Sequence, residues 1–278
     1  MNKARRQGLD VATGRAAKEL LDAGADIAGT VAGSAIGLVV GGVPGALIGA
    51  GSGPALVHTL RYVAAEVRAR FLSPRETARV GAVLAFAGEA ITARLIQGDT
   101  PRRDGFFDPK LAGGRTDAEE IFEGTLAVAQ RAYEERKLPY LGRLFAGIAF
   151  EPRMTPAAAN SLLRLIEELT YRQLQLLSLF DQNAKGNHFG LRHDLLGPSP
   201  GRTNEAPALG HEVFGLYQRE LVWKHEPGQE DGAIIYGATD ISPAFMETSP
   251  MGEVLVRYAG LRDMPNVELE ELAAELHP

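Results

Sequence analysis

Between Asp26 and His58 the chain carries no charged side chain, and this stretch, residues 27–57, is built on glycine. Gly29, Gly33, Gly37, Gly41, Gly45, Gly49 and Gly53 recur at every fourth position. Residues four apart share one side of a helix. Each step overshoots a turn by about 40°, so the stripe winds slowly around the helix. A stripe without side chains lets a second helix backbone approach closely, the small-xxx-small logic of membrane helix pairs. Water is a poor host for such a helix, because each interior glycine costs about 1 kcal/mol relative to alanine. In hydrocarbon the backbone must pair internally, and close packing offsets the entropy that glycine loses.

The length and flanks of the stretch suggest how it meets a membrane. As one helix it would span roughly 46 Å, longer than the ~30 Å hydrocarbon core. Gly41-Gly42-Val43-Pro44 is a natural break,, leaving two arms of ~20 to 25 Å that suit a tight or re-entrant hairpin. Arg15 and Lys18 precede the stretch, and Arg61, Arg68, Arg70, Arg75 and Arg79 follow it. Basic residues on both sides favour cytoplasmic flanks and inner-membrane association with a cytoplasmic bulk. Asp10, Glu19, Asp22 and Asp26 precede the apolar part, unlike a secretory signal. The stretch therefore predicts insertion in membrane lipid, or self-association, through the seven glycines. The competing expectation is a hairpin buried in a soluble, cytoplasmic protein and used for dimerisation.

Composition excludes several classes of function. Lys and Arg total 29 against 35 Asp and Glu, a net charge of −6, which argues against nucleic acid as a partner. With no cysteine, disulfides, thiolate zinc sites and cysteine nucleophiles are ruled out. No G-x-G-x-x-G and no Gly-Lys pair occurs, so both nucleotide fingerprints are missing and no cofactor is expected.

Beyond the glycine stretch, capping signals mark helices. Ser73-Pro74-Arg75-Glu76 is a capping box with proline at the first helical position; Val80, Val83, Leu84, Ala87, Ile91 and Leu95 form its apolar face and Gly98 closes it. In the loop that follows, Phe106 and Phe107 are candidates to anchor it, to the core in first place and to a membrane surface as the alternative. Thr116-Asp117-Ala118-Glu119 opens a helix that turns Ile121, Phe122, Leu126, Ala129 and Tyr133 inward. Its Glu119, Glu120 and Glu123 read as an acidic first turn favoured by the helix dipole, since no histidine follows at di-metal spacing. Pro139 starts a short helix over 140–150, Thr155-Pro156 caps the next, and Thr170-Tyr171-Arg172-Gln173 is a third capping box.

The C-terminal region mixes elements. Residues 181–207 read as a long loop or an inserted short helix. A helix is predicted over 209–224, containing Trp223 as a core residue, then short strands at 234–236 and 241–246. Ser249-Pro250 caps another helix, and a last one covers 267–276. Helix, helix, hairpin, helix is the order of a winged-helix module. From residue 171 to 278 there are 8 Lys and Arg against 16 Asp and Glu, 8 − 16 = −8, so a protein contact suits the module better than DNA.

No catalytic constellation emerges, and the chain reads as a non-enzyme. Gly197-Pro198-Ser199-Pro200-Gly201 matches G-x-S-x-G formally, but prolines fill both variable positions and no strand precedes it,. His188, His193, Asp194 and His211 fit no standard metal spacing,. His58 sits where a membrane interface or a helix cap would place it.

The stretches TDAEEIFEGTLAVAQRAYEERKLPYLGRLFAGIAF and ANSLLRLIEELTYRQLQLLSLF resemble the helical proteins of the abortive-infection, Abi-alpha type. Glu247-Thr248-Ser249-Pro250-Met251-Gly252-Glu253-Val254-Leu255 is similar to the ending of winged-helix modules in such proteins. The resemblance implies a bacterial setting, phage defence or a toxin-like role, and no catalytic residue. The period-four stretch also resembles glycine-zipper segments of bacterial membrane and pore-forming proteins. The expected fold is mainly α: a polar helix over 1–26, a glycine-zipper helical hairpin over 27–57, a helical bundle over 58–182, and a small winged-helix-like α+β module over 183–278. The expected function is membrane insertion or oligomerisation, held in check through an unknown protein partner. The alternative is a soluble winged-helix regulator or interaction scaffold.

Overall fold

A computed structural model describes residues 53–70, 72–111, 114–196, 205–225 and 233–276. The fold is mainly α, with nine α-helices and one two-stranded antiparallel sheet among the described residues. Contacts divide the chain into two compact units, Met1–Glu168 and Leu169–Pro278.

The first unit holds α1 (Gly53–Arg68), α2 (Pro74–Gln97), α3 (Asp117–Arg131), α4 (Leu138–Ala149) and α5 (Pro156–Glu168). The local signals for α2 act as read. The Ser73 hydroxyl accepts from the Glu76 N–H, the Glu76 carboxylate accepts from the Ser73 N–H, and Gly98 closes the helix at φ 93°. Every residue from Val80 to Gly88 is buried, so this middle part of α2 is enclosed on all sides rather than along one face. Among the described residues it is the one helix long and apolar enough to cross a membrane, and half of its apolar stretch lies inside the protein. It packs chiefly against α4. Gly142 of α4 makes this possible: a Cβ there would lie 2.7 Å from the Ala87 amide nitrogen and 2.9 Å from the Val83 carbonyl oxygen.

The loop after α2 is tied to the end of α4. The Arg102 N–H donates to the Ala149 carbonyl at 3.1 Å, and its guanidinium donates to the Met154 carbonyl at 2.7 Å. That guanidinium also lies over the Phe106 ring, 4.3 Å from its centroid. Phe106 and Phe107 are buried, so the loop is anchored in the core. Thr116 and Glu119 form the expected capping box of α3. Tyr133, expected inside, is 75% exposed, because α3 ends at Arg131. The Lys137 ammonium is buried and donates to the Glu167 carbonyl at 2.9 Å, near the end of α5. Burial lowers its pKa from the ordinary lysine value.

The second unit is built around α6 (Tyr171–Ala184), opened by the Thr170–Gln173 capping box. Around it pack α7 (Glu205–Gln218), β2 (Met246–Thr248), α8 (Pro250–Tyr258) and α9 (Asn266–Glu275). α6 thus belongs to the C-terminal unit, although the sequence grouped it with the bundle. Part of the connection after α6 is pinned down. The Arg192 N–H donates to the Leu276 carbonyl, its carbonyl accepts from the Ala244 N–H, and Leu191 and Leu196 are buried.

The helix predicted over 209–224 stops at Gln218, and Val222–Lys224 forms strand β1. The reason is a Schellman ending: the Leu221 N–H bonds the Leu216 carbonyl and the Glu220 N–H bonds the Tyr217 carbonyl. Glu220 takes the left-handed conformation, φ 57°, where glycine is the usual residue. β1 pairs with β2 in the register Val222↔Thr248, Trp223↔Glu247, Lys224↔Met246. The strands expected at 234–236 and 241–246 are replaced by a single bridge, Lys224↔Ala233, and by β2 beginning at Met246. Gly252 allows α8 to start under this hairpin, since a Cβ there would lie 2.0 Å from the Leu221 carbonyl oxygen.

Candidate functional site

Of the seven glycines in the period-four register, Gly29, Gly33, Gly37, Gly41, Gly45 and Gly49 lie outside the described residues. Gly53 is the first residue of α1 and is buried. From it the helix runs as an amphipathic rod. Leu56, Val57, Leu60, Val63, Ala64 and Val67 are buried, a 3.6-residue period, and α1 packs mainly on α3. The opposite face carries His58, Arg61 and Tyr62, with the His58 and Tyr62 rings stacked at 6.0 Å.

A four-residue ion cluster holds the end of α1 to α3. Arg70 and Arg115 both bond the Glu123 carboxylate, and Arg115 also bonds Glu66. Arg70 completes the ring with Glu66 at 3.4 Å. Hydrogen bonds from Arg70, joined by those from Arg115, hold the Glu123 carboxyl below the usual range. The same bonds to Glu123 raise both guanidinium groups. Arg75 and Arg79 pair with Glu135 at 2.9 and 3.1 Å. Three of the basic residues that follow the glycine stretch are thus neutralised within the bundle. The acidic turn of α3 is also accounted for: Glu119 belongs to the cap and Glu123 to the cluster.

The second unit contains a surface groove of about 630 Å³, lined by Tyr217, Gln218, Glu220, Val222, Trp223, Ser249, Pro250 and Met251. Trp223, expected in the core, is 42% exposed. Its neighbours Val222 and Lys224 are buried, so strand alternation turns the indole outward. Ile234 and Tyr236 are also exposed, by 67% and 83%.

A separate polar cluster in the same unit is structural. Asp181 is buried, and Arg262 binds it through two nitrogens at 2.7 and 3.1 Å, with Lys185 at 2.5 Å. Burial works to raise the Asp181 carboxyl; the bonds from Arg262 and Lys185 outweigh it and hold it below its ordinary value.

Among the described residues no group of three or more His, Asp or Glu side chains could hold a metal. His193 packs edge-on against Phe245, with 5.2 Å between ring centroids. Ser199 and its G-x-S-x-G frame lie outside the described residues. Sequence reading missed the Glu66–Arg70–Arg115–Glu123 cluster and the groove. The exposed tryptophan offered a signal for the groove, had residues 222–224 been read as a strand.

No family model, curated protein or solved structure matches the chain. Nothing beyond the residues quoted above therefore ties it to the abortive-infection proteins.

Proposed function

We propose that the chain is a non-enzymatic, membrane-associated bacterial protein whose glycine stretch inserts in lipid or self-associates. The observation that supports this reading most is the uncharged register of seven glycines, whose last member, Gly53, opens α1. α1, which begins at the last glycine of the register, is fixed to α3 by an apolar stripe and four paired charges. The bundle would carry the stretch, and α1 would transmit its position. The resemblance to abortive-infection proteins supplies a setting of phage defence or membrane perturbation. The acidic balance of residues 171–278 favours a protein partner over nucleic acid for the C-terminal unit.

The test has two parts. Membranes from cells expressing the full chain are washed with alkaline carbonate, and the protein is expected to stay with them. Gly37, Gly41 and Gly45 are then changed together to isoleucine, and chemical crosslinking is expected to show loss of the oligomers. Release from membranes overturns insertion; oligomers that survive the triple change overturn the packing role of the stripe.

A further inference from the structure

The groove beside β1 has a chemistry that selects its occupant. Trp223 is the chain's single tryptophan and faces outward. Glu247 stands directly opposite it, and the bonds from Ser249 N–H to Leu221 and from His225 N–H to Phe245 bracket the two as a hydrogen-bonded pair. Side chains paired in this way have Cβ atoms about 5 Å apart, so Glu247 is the cross-strand neighbour of Trp223 on the same face of the hairpin. Glu220 lines the groove as well.

Neither carboxylate has a hydrogen-bond or ion-pair partner among the described residues. Glu220 also holds the left-handed position of a Schellman turn, a cost that glycine would avoid. Unfavourable backbone retained at a concave surface points to use of the side chain. The start of α8 offers little to an anion: Pro250 has no N–H, and the Gly252 and Glu253 N–H groups bond the Ser249 hydroxyl and carbonyl.

We propose that this groove docks a peptide segment of a partner protein in which a lysine or arginine adjoins a large apolar side chain. The cation lies over the Trp223 indole between Glu220 and Glu247. The apolar side chain packs against Tyr217, Pro250 and Met251. Aromatic anchors and complementary charge are what interfaces of this kind use for affinity and selection. The proposal is independent of what the glycine stretch does.

Trp223 reports on its own site, because it is the sole tryptophan. In the full-length protein, caesium ions are expected to quench its emission more strongly than iodide. Three synthetic peptides of about twelve residues are then compared: arginine alternating with leucine, glutamate alternating with leucine, and arginine alternating with serine. The first alone is expected to shift the emission to the blue and protect it from quenching, with an affinity that falls at high salt. The double variant E220Q/E247Q keeps the shape and removes the charge; its affinity is expected to fall about tenfold, with an unchanged circular dichroism spectrum. Stronger quenching by iodide, equal binding of the glutamate or serine peptide, or failure of all three to move Trp223 overturns the proposal. Should the double variant misfold, the salt dependence of the wild-type protein decides, and salt-independent binding counts against it.

Discussion

Replacing Gly142 by alanine tests whether side-chain-free helix surfaces hold this protein together. A Cβ at Gly142 would lie 2.7 Å from the Ala87 nitrogen, 2.8 Å from the Phe86 Cβ and 2.9 Å from the Val83 oxygen. Ordinary contact distances begin near 3.5 Å, so α4 must back away from α2 by about 0.7 Å. A gap of that size forfeits a quarter to a half of each contact along the seam, which includes buried Leu141, Phe145 and Ile148. Overpacking costs roughly 1–3 kcal/mol. Two of the three obstacles are backbone atoms, which puts this case near 3 kcal/mol. Removing an interior helical glycine returns about 1 kcal/mol. The net loss is therefore about 2 kcal/mol. Gly124 is the control, lying inside α3, where a Cβ would meet only Leu163 Cδ1 at 3.6 Å. Gly124→Ala keeps the helix-propensity gain and is expected to stabilise by about 1 kcal/mol. Urea unfolding followed by circular dichroism gives both shifts as changes in midpoint at constant slope. A Gly142→Ala midpoint that rises alongside that of Gly124→Ala would refute the close-approach argument for the α2–α4 seam.

Three other substitutions test separate parts of the structure. Glu220→Gly relieves the left-handed backbone at φ 57° and is expected to raise stability by about 1 kcal/mol, read as a higher melting temperature; a lower one would contradict the Schellman reading. Asp181→Asn removes the charge that Arg262 and Lys185 surround, at a cost of about 1–3 kcal/mol near neutral pH. The folded Asp181 carboxyl lies below its ordinary value, so its contribution is full above an unfolded pKa of about 3.9 and is lost as pH falls through the lower folded value. The stability gap between wild type and variant is thus expected to stay flat from neutrality to about pH 5 and to close in stronger acid; a gap that widens there would reverse the assigned sign. Glu123→Gln leaves Arg70 and Arg115 with Glu66 alone as a shared carboxylate, and hydrogen exchange on α1 amides is expected to quicken while that of α4 does not change. Equal protection of α1 in both proteins would show that the apolar stripe alone holds it.

What the sequence made legible was local. The boxes at Ser73, Thr116 and Thr170 each place both partners within three residues, so their geometry is written in adjacent letters. Pro139 and Pro250 mark helix starts for the same reason. The failure over 209–224 was local too, but of the opposite kind. Glutamate carries no stop signal, so nothing in Gln218-Arg219-Glu220-Leu221 announces the left-handed turn that ends α7. A helix continued through that turn carries Trp223 on the apolar face with Val213 and Leu216,. In a strand the same residue alternates outward, and the groove becomes visible.

The ion cluster on α1 lay beyond pattern reading for another reason. Glu66, Arg70, Arg115 and Glu123 meet only after α1 and α3 pack, and a sequence states neither that packing nor its register. Their meeting changes how the charges beside the glycine stretch should be weighed. Arg70, Arg75 and Arg79 read in sequence as a basic flank that would hold the chain at a cytoplasmic membrane face. In the fold each has a carboxylate partner, and what they hold is the bundle. Arg61 lies on the exposed side of α1 with His58 and Tyr62. Three of the five arginines that follow the glycine stretch, Arg70, Arg75 and Arg79, thus serve packing within the bundle, and a charge count along the sequence overstates the basic flank by that much.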